Sequence, residues 1–347
     1  MSRRTPDEPT GPAGKPTAPT VYDVARAAEV SVATVSRAFS RPERVNARTR
    51  EHVLRVASEI GYQLDSATRA LAASRKDAIA VIVSDIANPY FFGVIRGAGR
   101  QAAAANYSMV LGESDNEADT ETTLIRRLRS TVDGFVLAAS RMPNDELRDL
   151  ARTIPVVLID RELPGLPSVI IEHDSGTRQI VEHLASLGHQ SIAFLAGPKN
   201  SWSAAQRWRS LDAAAKHLGL PATRLGPFTP TIQGGAAAAD AALVSKATAI
   251  VAFNDLLALG VIQRLTERGI KIPDQLSVVG YDNIFGSDFS NPPLTTLGGP
   301  TDKGGRAAVE LVLRMIREPG RPTSDTRLVV PSQLTIRASS GPSPAAW

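Results

Sequence analysis

The sequence predicts a small all-α domain followed by a larger α/β body that is built as two doubly wound lobes. Three helical patterns lie between residues 20 and 61, and each follows a residue type that commonly begins a helix. From residue 78 onward, short and continuously apolar runs alternate with helical stretches. Such runs are typical of parallel strands buried on both faces, and eight of them are more than one open sheet usually holds.

We expect the first lobe to cover about 77–175 and the second about 176–300. A closing helix over 301–316 follows, and the Pro-punctuated tail after it could return across the hinge between the lobes. The eight predicted strands are 78–83, 108–111, 134–139, 156–159, 169–171, 192–196, 249–253 and 276–280.

The composition is that of a soluble globular protein. Of the 347 residues, 43% are hydrophobic and 21% are charged, which is enough apolar surface for two or three folding units. The chain has no cysteine, so disulfides and thiolate metal sites are excluded and a reducing cytosol fits. No apolar run reaches the ~18 residues of a membrane span, and the N-terminus lacks the apolar core of a secretory signal. We expect a cytoplasmic protein with no membrane attachment.

Charge is unevenly distributed along the chain. Residues 20–76 contain 10 Lys and Arg against 6 Asp and Glu, whereas residues 77–347 contain 26 against 27. Nine of the ten early cations are Arg, whose planar fork binds phosphate and guanine edges bidentately. A small basic unit therefore precedes a nearly neutral one.

The basic unit has the pattern of a helix-turn-helix. Thr20 and Asp23 are spaced as a capping box, Ser31 and Asn46 are N-cap candidates for the second and third helices, and Gly61 is a stop signal. Only a few residues separate the first two helices, and in such motifs the second helix enters the major groove. The alternative is that three capped helices simply form a core and that their exposed Arg residues contact only water.

The second helix, predicted over 31–39, carries side chains suited to reading bases. Val32 and Ala33 are small and apolar, so they can approach a thymine methyl group. Arg37 lies one turn later on the same face and is a natural bidentate donor to guanine. These three positions are the predicted base readers.

The segment from Val21 to Tyr62 resembles the headpiece of the lactose-repressor (LacI) family of bacterial transcription regulators. The Thr-Val-Ser-Arg run at 34–37 and the V-x-x-x-T-R pattern at 45–50 carry the resemblance, which continues over about 20–337. The family implies a homodimer whose recognition helices read two half-sites of a near-palindromic operator. It also implies phosphate contacts at Tyr22, Ser31, Thr34, Ser36 and Asn46.

The Ala-rich stretch that follows resembles the hinge helix of the family. Members form this helix on operator DNA and insert a leucine from each chain into the minor groove, which would be Leu71 here. The alternative is an ordinary linker in which Leu71 only packs. Two positions depart from the family pattern: Glu29 stands where Gly is usual, and Leu64-Asp65 stands where Pro and Asn are common.

Polar side chains follow several predicted strands of the body, where open α/β sheets bind ligands. The body resembles periplasmic sugar-binding proteins, which implies a small sugar-like effector held between the lobes. Each residue also has an ordinary alternative, such as an ion pair, an N-cap or a turn. The candidate effector-binding residues are Tyr90 and Phe91 for stacking, Arg161, Arg207, Asn254 and Asp282 for hydrogen bonding, Asp160 and Asp255 as weaker candidates, and Trp208 as a cap on the pocket.

The sequence gives no sign of catalysis. It contains no G-x-S-x-G elbow and no G-x-G-x-x-G fingerprint, and its His and acidic residues lack metal-ligand spacing on one helix face. We therefore predict a transcriptional regulator that acts as a repressor and has no cofactor, no metal and no catalytic residue. The opposite sign of control, in which the effector acts as a corepressor and tightens operator binding, would use the same domains and stays open. The alternative function is a sugar- or nucleoside-binding protein or hydrolase with a non-regulatory basic head.

These observations divide the chain into five segments. Residues 1–19 hold five prolines and no periodic apolar residues, so they cannot form a core. The predicted segments are a disordered tail (1–19), a helix-turn-helix domain (20–64), a hinge helix or linker (65–76), an effector-binding and dimerisation core (77–337) and a flexible C-terminal tail (338–347).

Overall fold

A computed structural model describes residues 19–40, 44–62, 76–318 and 326–344. The chain divides into two compact units, Met1–Lys76 and Asp77–Trp347. The predicted disordered tail up to residue 18 and the predicted hinge residues 65–75, with Leu71, lie outside the described residues. None of the helices in the described ranges is long and apolar enough to cross a membrane.

The first unit contains the three predicted helices, and the residues expected to begin them do so. The Thr20 N–H and hydroxyl donate to Asp23 Oδ2 at 2.9 and 2.6 Å, which forms the capping box. Ser31 Oγ and Asn46 Oδ1 accept backbone N–H groups in the first turns of the next two helices, at 3.1 and 3.0 Å. The helices are α1 Val21–Ala27, α2 Val32–Ser40 and α3 Ala47–Glu59.

One valine from each helix forms the centre of this small core. Val24, Val35 and Val53 are fully buried, and Ala28 and Ala57 fill the space between them. The buried positions repeat at helical spacing, so the opposite face of each helix remains in solvent.

The turn between α1 and α2 contains a residue in an unfavourable backbone conformation. Glu29 has φ 53°, in the left-handed region where a Cβ costs roughly 1–2 kcal/mol. Replacing Glu29 by Gly should therefore raise the free energy of unfolding of the first unit by about 1 kcal/mol, less the entropy that Gly adds to the unfolded chain. Denaturant unfolding monitored by helix circular dichroism measures this. Glu29→Ala is the control, because it removes the same side chain and keeps the Cβ; an equal gain in both variants would contradict a backbone origin.

The second unit consists of two six-stranded sheets with helices on both faces. The first sheet has the order β11-β5-β4-β3-β1-β2 and the second the order β12-β10-β9-β8-β6-β7. Every strand pair is parallel except β10 with β12. The strands of the first sheet are β1 Ala78–Val83, β2 Ser108–Glu113, β3 Gly134–Ala138, β4 Val156–Ile159, β5 Ser168–Ile171 and β11 Arg327–Val330. Those of the second are β6 Ile192–Leu195, β7 Ala222–Leu225, β8 Ala249–Ala252, β9 Ser277–Tyr281, β10 Thr295–Gly298 and β12 Gln333–Thr335.

Helices connect most of the successive strands along the chain, as parallel pairing requires. They are α4 Tyr90–Ala104, α5 Ala118–Leu128, α6 Asn144–Ala151, α7 Asp174–Ser186, α8 Trp202–His217, α9 Gly235–Val244, α10 Asp255–Glu267 and α11 Thr301–Arg317. The continuously apolar strands β1, β3, β4, β6 and β8 are fully buried, with apolar clusters on both faces of each sheet. The two-lobed body predicted from the apolar runs is confirmed.

The chain crosses between the lobes three times. It passes to the second lobe after β5, returns after β10 to place α11 against α4, and crosses again between β11 and β12. The sequence allowed the tail after the closing helix to return across the hinge between the lobes, and the structure shows this return. It joins one edge strand to each sheet.

The C-terminal residues differ from the expected flexible tail. Ser339 is fully buried, and its N–H donates to the Pro293 carbonyl at 2.9 Å while its carbonyl accepts the Val278 N–H at 2.8 Å. The Gly341 N–H and carbonyl also bond to second-lobe side chains, among them the Ser277 hydroxyl at 3.1 Å. These hydrogen bonds hold residues 339–341 along β9, so the structure differs there from the flexible tail predicted over 338–347.

Candidate functional site

The exposed face of α2 carries the predicted base readers. Val35 and Ala38 point into the core, whereas Ala33 and Arg37 are exposed and Val32 is half-buried. Arg37 Nε donates to the Ala33 carbonyl one turn back, at 3.0 Å, which aligns the guanidinium along the exposed face. This face can therefore present one Arg fork beside two small apolar side chains.

The predicted phosphate-contacting residues lie at helix ends and on the surface. Tyr22 is 66% exposed, Ser31 Oγ lies 2.8 Å from the Thr34 hydroxyl, and Ser31 and Asn46 begin α2 and α3. N-terminal N–H groups of helices favour anions, so these positions are compatible with phosphate contacts. Ser36 is also exposed on α2.

A polar cleft lies between the two lobes of the second unit, at the carboxyl ends of the strands. Its volume is about 50 Å³, small beside the roughly 300–1,000 Å³ of typical small-molecule pockets, so the walls must separate to admit a sugar. From the first lobe it is lined by Ser84, Asp85, Asn88, Tyr90, Phe91, Asn116, Ala139, Arg141 and Asp160. From the second it is lined by Ser201, Ser203, Arg207, Pro230, Phe253, Asn254 and Asp282.

Arg207 and Asp282 form a buried ion pair on the second-lobe wall. Arg207 Nη2 donates to Asp282 Oδ1 at 2.6 Å, and Nη1 donates to the Phe253 carbonyl at 2.5 Å. The guanidinium lies between the Phe253 and Tyr281 rings, 5.0 and 4.7 Å from their centroids. Burial raises the pKa of Asp282 although the guanidinium opposes this. The buried Arg207 Nε has no partner among the described residues.

Tyr90 and Asp160 form the facing pair on the first-lobe wall. The Tyr90 hydroxyl donates to Asp160, whose other carboxylate oxygen accepts the Ile171 N–H at 3.1 Å. Burial raises the pKa of Asp160 to about 6, against the effect of these hydrogen bonds. The Ser203 hydroxyl of the second lobe donates to the Asp160 carbonyl at 3.1 Å, so this residue also joins the two lobes. Phe91 packs edge-on against Tyr90, with 5.0 Å between ring centroids.

Asn254 is the last of the predicted effector-binding residues that line the cleft. It is 2% exposed, its Oδ1 caps α10 by accepting the Leu257 N–H at 3.0 Å, and its Nδ2 donates to the Pro230 carbonyl at 3.1 Å. Six of the nine predicted effector residues therefore line one cleft. They are Tyr90, Phe91, Asp160, Arg207, Asn254 and Asp282.

Arg161 does not line the cleft. Its Nη1 donates to the Ser140 and Met142 carbonyls at 3.0 and 2.6 Å, and its Nη2 donates to Asn144 Oδ1 at 2.7 Å. The side chain therefore holds the loop between β3 and α6. The expectation that Arg161 hydrogen-bonds an effector is not supported by this position.

Trp208 and Asp255 also lie away from the cleft. Trp208 packs against Phe194 in the second-lobe core, with ring centroids 5.6 Å apart, so it does not cap the pocket. Asp255 is fully buried and accepts the Ile284 N–H and the Ser287 and Thr296 hydroxyls at 3.0, 2.7 and 2.6 Å. It ties the loop after β9 to β10.

The structure adds cleft residues that the sequence analysis did not select. Among them is the buried cation Arg141, which follows β3 and is 8% exposed. Polar residues were selected because they follow the carboxyl ends of β1, β4, β8 and β9. Arg141 follows β3 in the same way, so the same criterion could have found it. Ser201 and Ser203 begin α8, and only the loop geometry brings them to the cleft.

The buried Asp255 makes stability depend on pH. Burial, together with the nearby Asp282 charge, raises its pKa to about 7 although three hydrogen bonds to the carboxylate oppose this. The folded state then binds a proton that the unfolded state releases near pH 4, so this group's contribution to stability falls as pH rises toward 7. Asp255→Asn removes the titration, and its stability relative to the native chain should improve from pH 5 to pH 8 in denaturant unfolding. Asp145→Asn, at a 95% exposed side chain, is the control; a pH-independent difference for Asp255→Asn would contradict the assignment.

A helix-turn-helix domain joined to a two-lobed body with a polar cleft defines a ligand-responsive DNA-binding regulator. The family of bacterial regulatory proteins named lacI matches residues 20–65, and the periplasmic binding protein-like domain matches residues 181–340. The HTH-type transcriptional regulator DegA of Bacillus subtilis (strain 168) is 32% identical over 333 residues, 93% of this chain and 98% of DegA.

Two solved structures extend the similarity to the fold. The lac repressor dimer bound to operator and the anti-inducer ONPF is 28% identical with a TM-score of 0.79, covering 94% of this chain and 100% of that one. The transcriptional regulator CelR in complex with cellobiose is 28% identical with a TM-score of 0.69, covering 92% and 99%. The chain belongs to the lacI family of bacterial regulatory proteins. It is a transcriptional regulator and not an enzyme, and the alternative of a sugar-binding protein or hydrolase with a non-regulatory head is not supported.

Proposed function

We propose that the chain is a homodimeric repressor that binds a near-palindromic operator and is controlled by a sugar-like effector in the cleft between its lobes. The observation that carries the proposal is the convergence of paired carboxylates, a guanidinium, an amide and two aromatic rings from both lobes on one cleft. Polyhydroxylated ligands need this combination, because hydroxyls take paired hydrogen bonds while the apolar ring face stacks. The cellobiose complex of the similar regulator CelR supports a carbohydrate.

DNA reading is assigned to the exposed face of α2. Arg37 would donate to a guanine edge, while Val32 and Ala33 would contact thymine methyl groups. Tyr22, Ser31, Thr34, Ser36 and Asn46 would fix the domain on the phosphates without reading sequence. The lac repressor dimer on operator is similar over nearly the whole chain, which supports two such domains acting together.

Control by the effector follows from its contact with both walls of the cleft. Asp160 and Tyr90 belong to the first lobe, and Arg207, Asn254 and Asp282 belong to the second, so a ligand that bridges them favours one spacing of the lobes. A ligand shifts an equilibrium only by its differential affinity for the two states. Residues 65–76 would pass this shift to the DNA-binding domains, and Leu71 would be the minor-groove wedge.

Selection of binding sites from random DNA tests the operator assignment. The full-length protein should enrich a two-fold symmetric site whose half-sites are about one helical turn apart or a multiple of it. Recovery of symmetric sites by the native chain and their loss with an Arg37 variant would support the proposal. Enrichment of no sequence at moderate salt would overturn it, because phosphate contacts alone would then account for binding.

A further inference from the structure

Arg141 is a buried cation in the first-lobe wall of the cleft. It follows β3 at the carboxyl end of the first sheet and is 8% exposed. Its Nη2 donates to Asn116 Oδ1 at 3.3 Å, and its buried Nε has no hydrogen-bond partner among the described residues. Both Arg141 and Asn116 line the cleft. A guanidinium with five donors is therefore under-used at this position.

The charges around Arg141 do not balance. Glu121 is 1% exposed, and its carboxylate accepts the Arg141 backbone N–H at 2.8 Å. Its negative charge acts on two buried guanidiniums, those of Arg141 and Arg161. Arg161 directs its own donors to two carbonyls and an amide, which carry no charge. Burial lowers the pKa of Arg141 to about 10, so the guanidinium stays charged at neutral pH. This cluster carries one uncompensated positive charge.

The carboxylates of the cleft are engaged elsewhere. Asp282 pairs with Arg207, Asp160 accepts the Tyr90 hydroxyl, and Asp85 accepts the Ala87 N–H at 2.8 Å. Within the described parts of the chain, none of these three carboxylates has an oxygen within 4.0 Å of an Arg141 side-chain nitrogen, the distance of an ion pair. A buried charge without a partner is costly, so a site that keeps one is suited to a ligand that supplies the opposite charge.

We propose that Arg141 is the anion-binding end of the effector cleft and that the effector is an acidic sugar, with a carboxylate or a phosphate as its anionic group. This inference rests on the proposed function, in which the hydroxyl-bearing part of the same ligand contacts Arg207, Asn254 and Asp282. Arg is suited to this role because its fork binds carboxylate and phosphate bidentately. Asn116 holds the guanidinium at the cleft wall.

Matched neutral and acidic sugars test the proposal on the full-length protein. The probes are D-galactose with D-galacturonate, and D-glucose with D-glucuronate and D-glucose 6-phosphate, measured by calorimetric binding and by change in operator affinity. We expect one acidic probe to bind at least about 10-fold more tightly than its neutral partner, as a charge-assisted hydrogen bond implies. The uronates and the phosphate ester distinguish the two anionic groups.

Variants separate the role of the charge from a structural role. Arg141→Met should weaken the acidic probe about 10- to 100-fold and leave any neutral probe unchanged, whereas Arg141→Lys should retain part of the preference. The melting temperature of Arg141→Met without ligand should change little, because the variant removes a buried guanidinium that forms no ion pair and Arg161 still balances the charge of Glu121. Arg148→Met, on the exposed surface of α6, is the control and should behave as the native chain.

The outcomes are distinct. If neutral sugars alone change operator affinity and Arg141→Met responds as the native chain does, the anion site is wrong and the proposed function stands. If none of the five probes binds, the carbohydrate effector and the anion site are both contradicted. If both Arg141 variants lose binding of the neutral sugars and also melt at a lower temperature, Arg141 has a structural role and the proposal is overturned.

Discussion

Replacing Arg37 by Ala should weaken binding to the selected operator by roughly 1–3 kcal/mol, which is about 5- to 150-fold in affinity. Arg37 is exposed on α2 beside Ala33, and its fork is the bidentate donor on that face. The loss should be confined to one base pair of each half-site, so discrimination at that position should relax. Fluorescence anisotropy with the operator and with single-base variants measures both effects.

Binding to random DNA separates base reading from attraction to phosphate. Arg37→Ala should leave non-specific affinity nearly unchanged at constant salt, because phosphate contacts alone give that affinity. Arg55→Ala is a matched control: Arg55 is exposed on α3 and bonds Glu59 at 2.9 Å in the same domain. An equal loss on operator and on random DNA would reject the base-reading role of Arg37.

Replacing Asp282 by Ala should remove the effector response and cost the body roughly 3–5 kcal/mol of stability. The reason is that Arg207 would remain buried with its charge unpaired, since its Nη2 bond to Asp282 is lost. Operator binding without effector should stay nearly intact at temperatures where the body is folded. Asp282→Asn is the milder variant, since it keeps the shape and one acceptor. Denaturant unfolding and ligand-dependent operator binding measure the two effects.

The control for Asp282 is a partly exposed ion pair of the same lobe. Arg264 bonds both oxygens of Asp240 at 3.2 and 3.1 Å, but their side chains are 33% and 39% exposed. Asp240→Ala should therefore cost no more than about 1 kcal/mol and leave the effector response unchanged. Parallel loss of effector response and effector-free operator binding in Asp282→Asn would indicate that Asp282 supports the fold and does not act on the effector.

Strand ends located the cleft, but adjacency in sequence could not tell which of two neighbouring side chains faces it. Asp160 lines the cleft while Arg161 turns to the loop after β3. Arg207 lines it while Trp208, the next residue of α8, packs on Phe194. Successive residues point in different directions. Two neighbouring residues at a strand end can therefore indicate where a site lies without showing which of their side chains faces it.

The fold was predictable where apolar periodicity is strong. The eight continuously apolar runs are strands, and their ends differ from the prediction by at most two residues. β7, β11 and β12 were missed because they are short edge strands with exposed residues, and β10 because it is a brief Thr-rich run. The packed C-terminal stretch was missed because hydrogen bonds of its backbone and hydroxyl hold Ser339, and such bonds leave no apolar pattern in the sequence.

Coupling between the cleft and the operator is tested most directly by titrating a preformed complex of the full-length protein and its selected operator with sugars, acidic sugars and nucleosides. We expect one carbohydrate to change operator affinity at equilibrium, and we expect Asp282→Asn to bind the operator without responding. A carbohydrate that binds the cleft and leaves operator affinity unchanged would contradict this expectation, because the two sites would then have no coupling free energy.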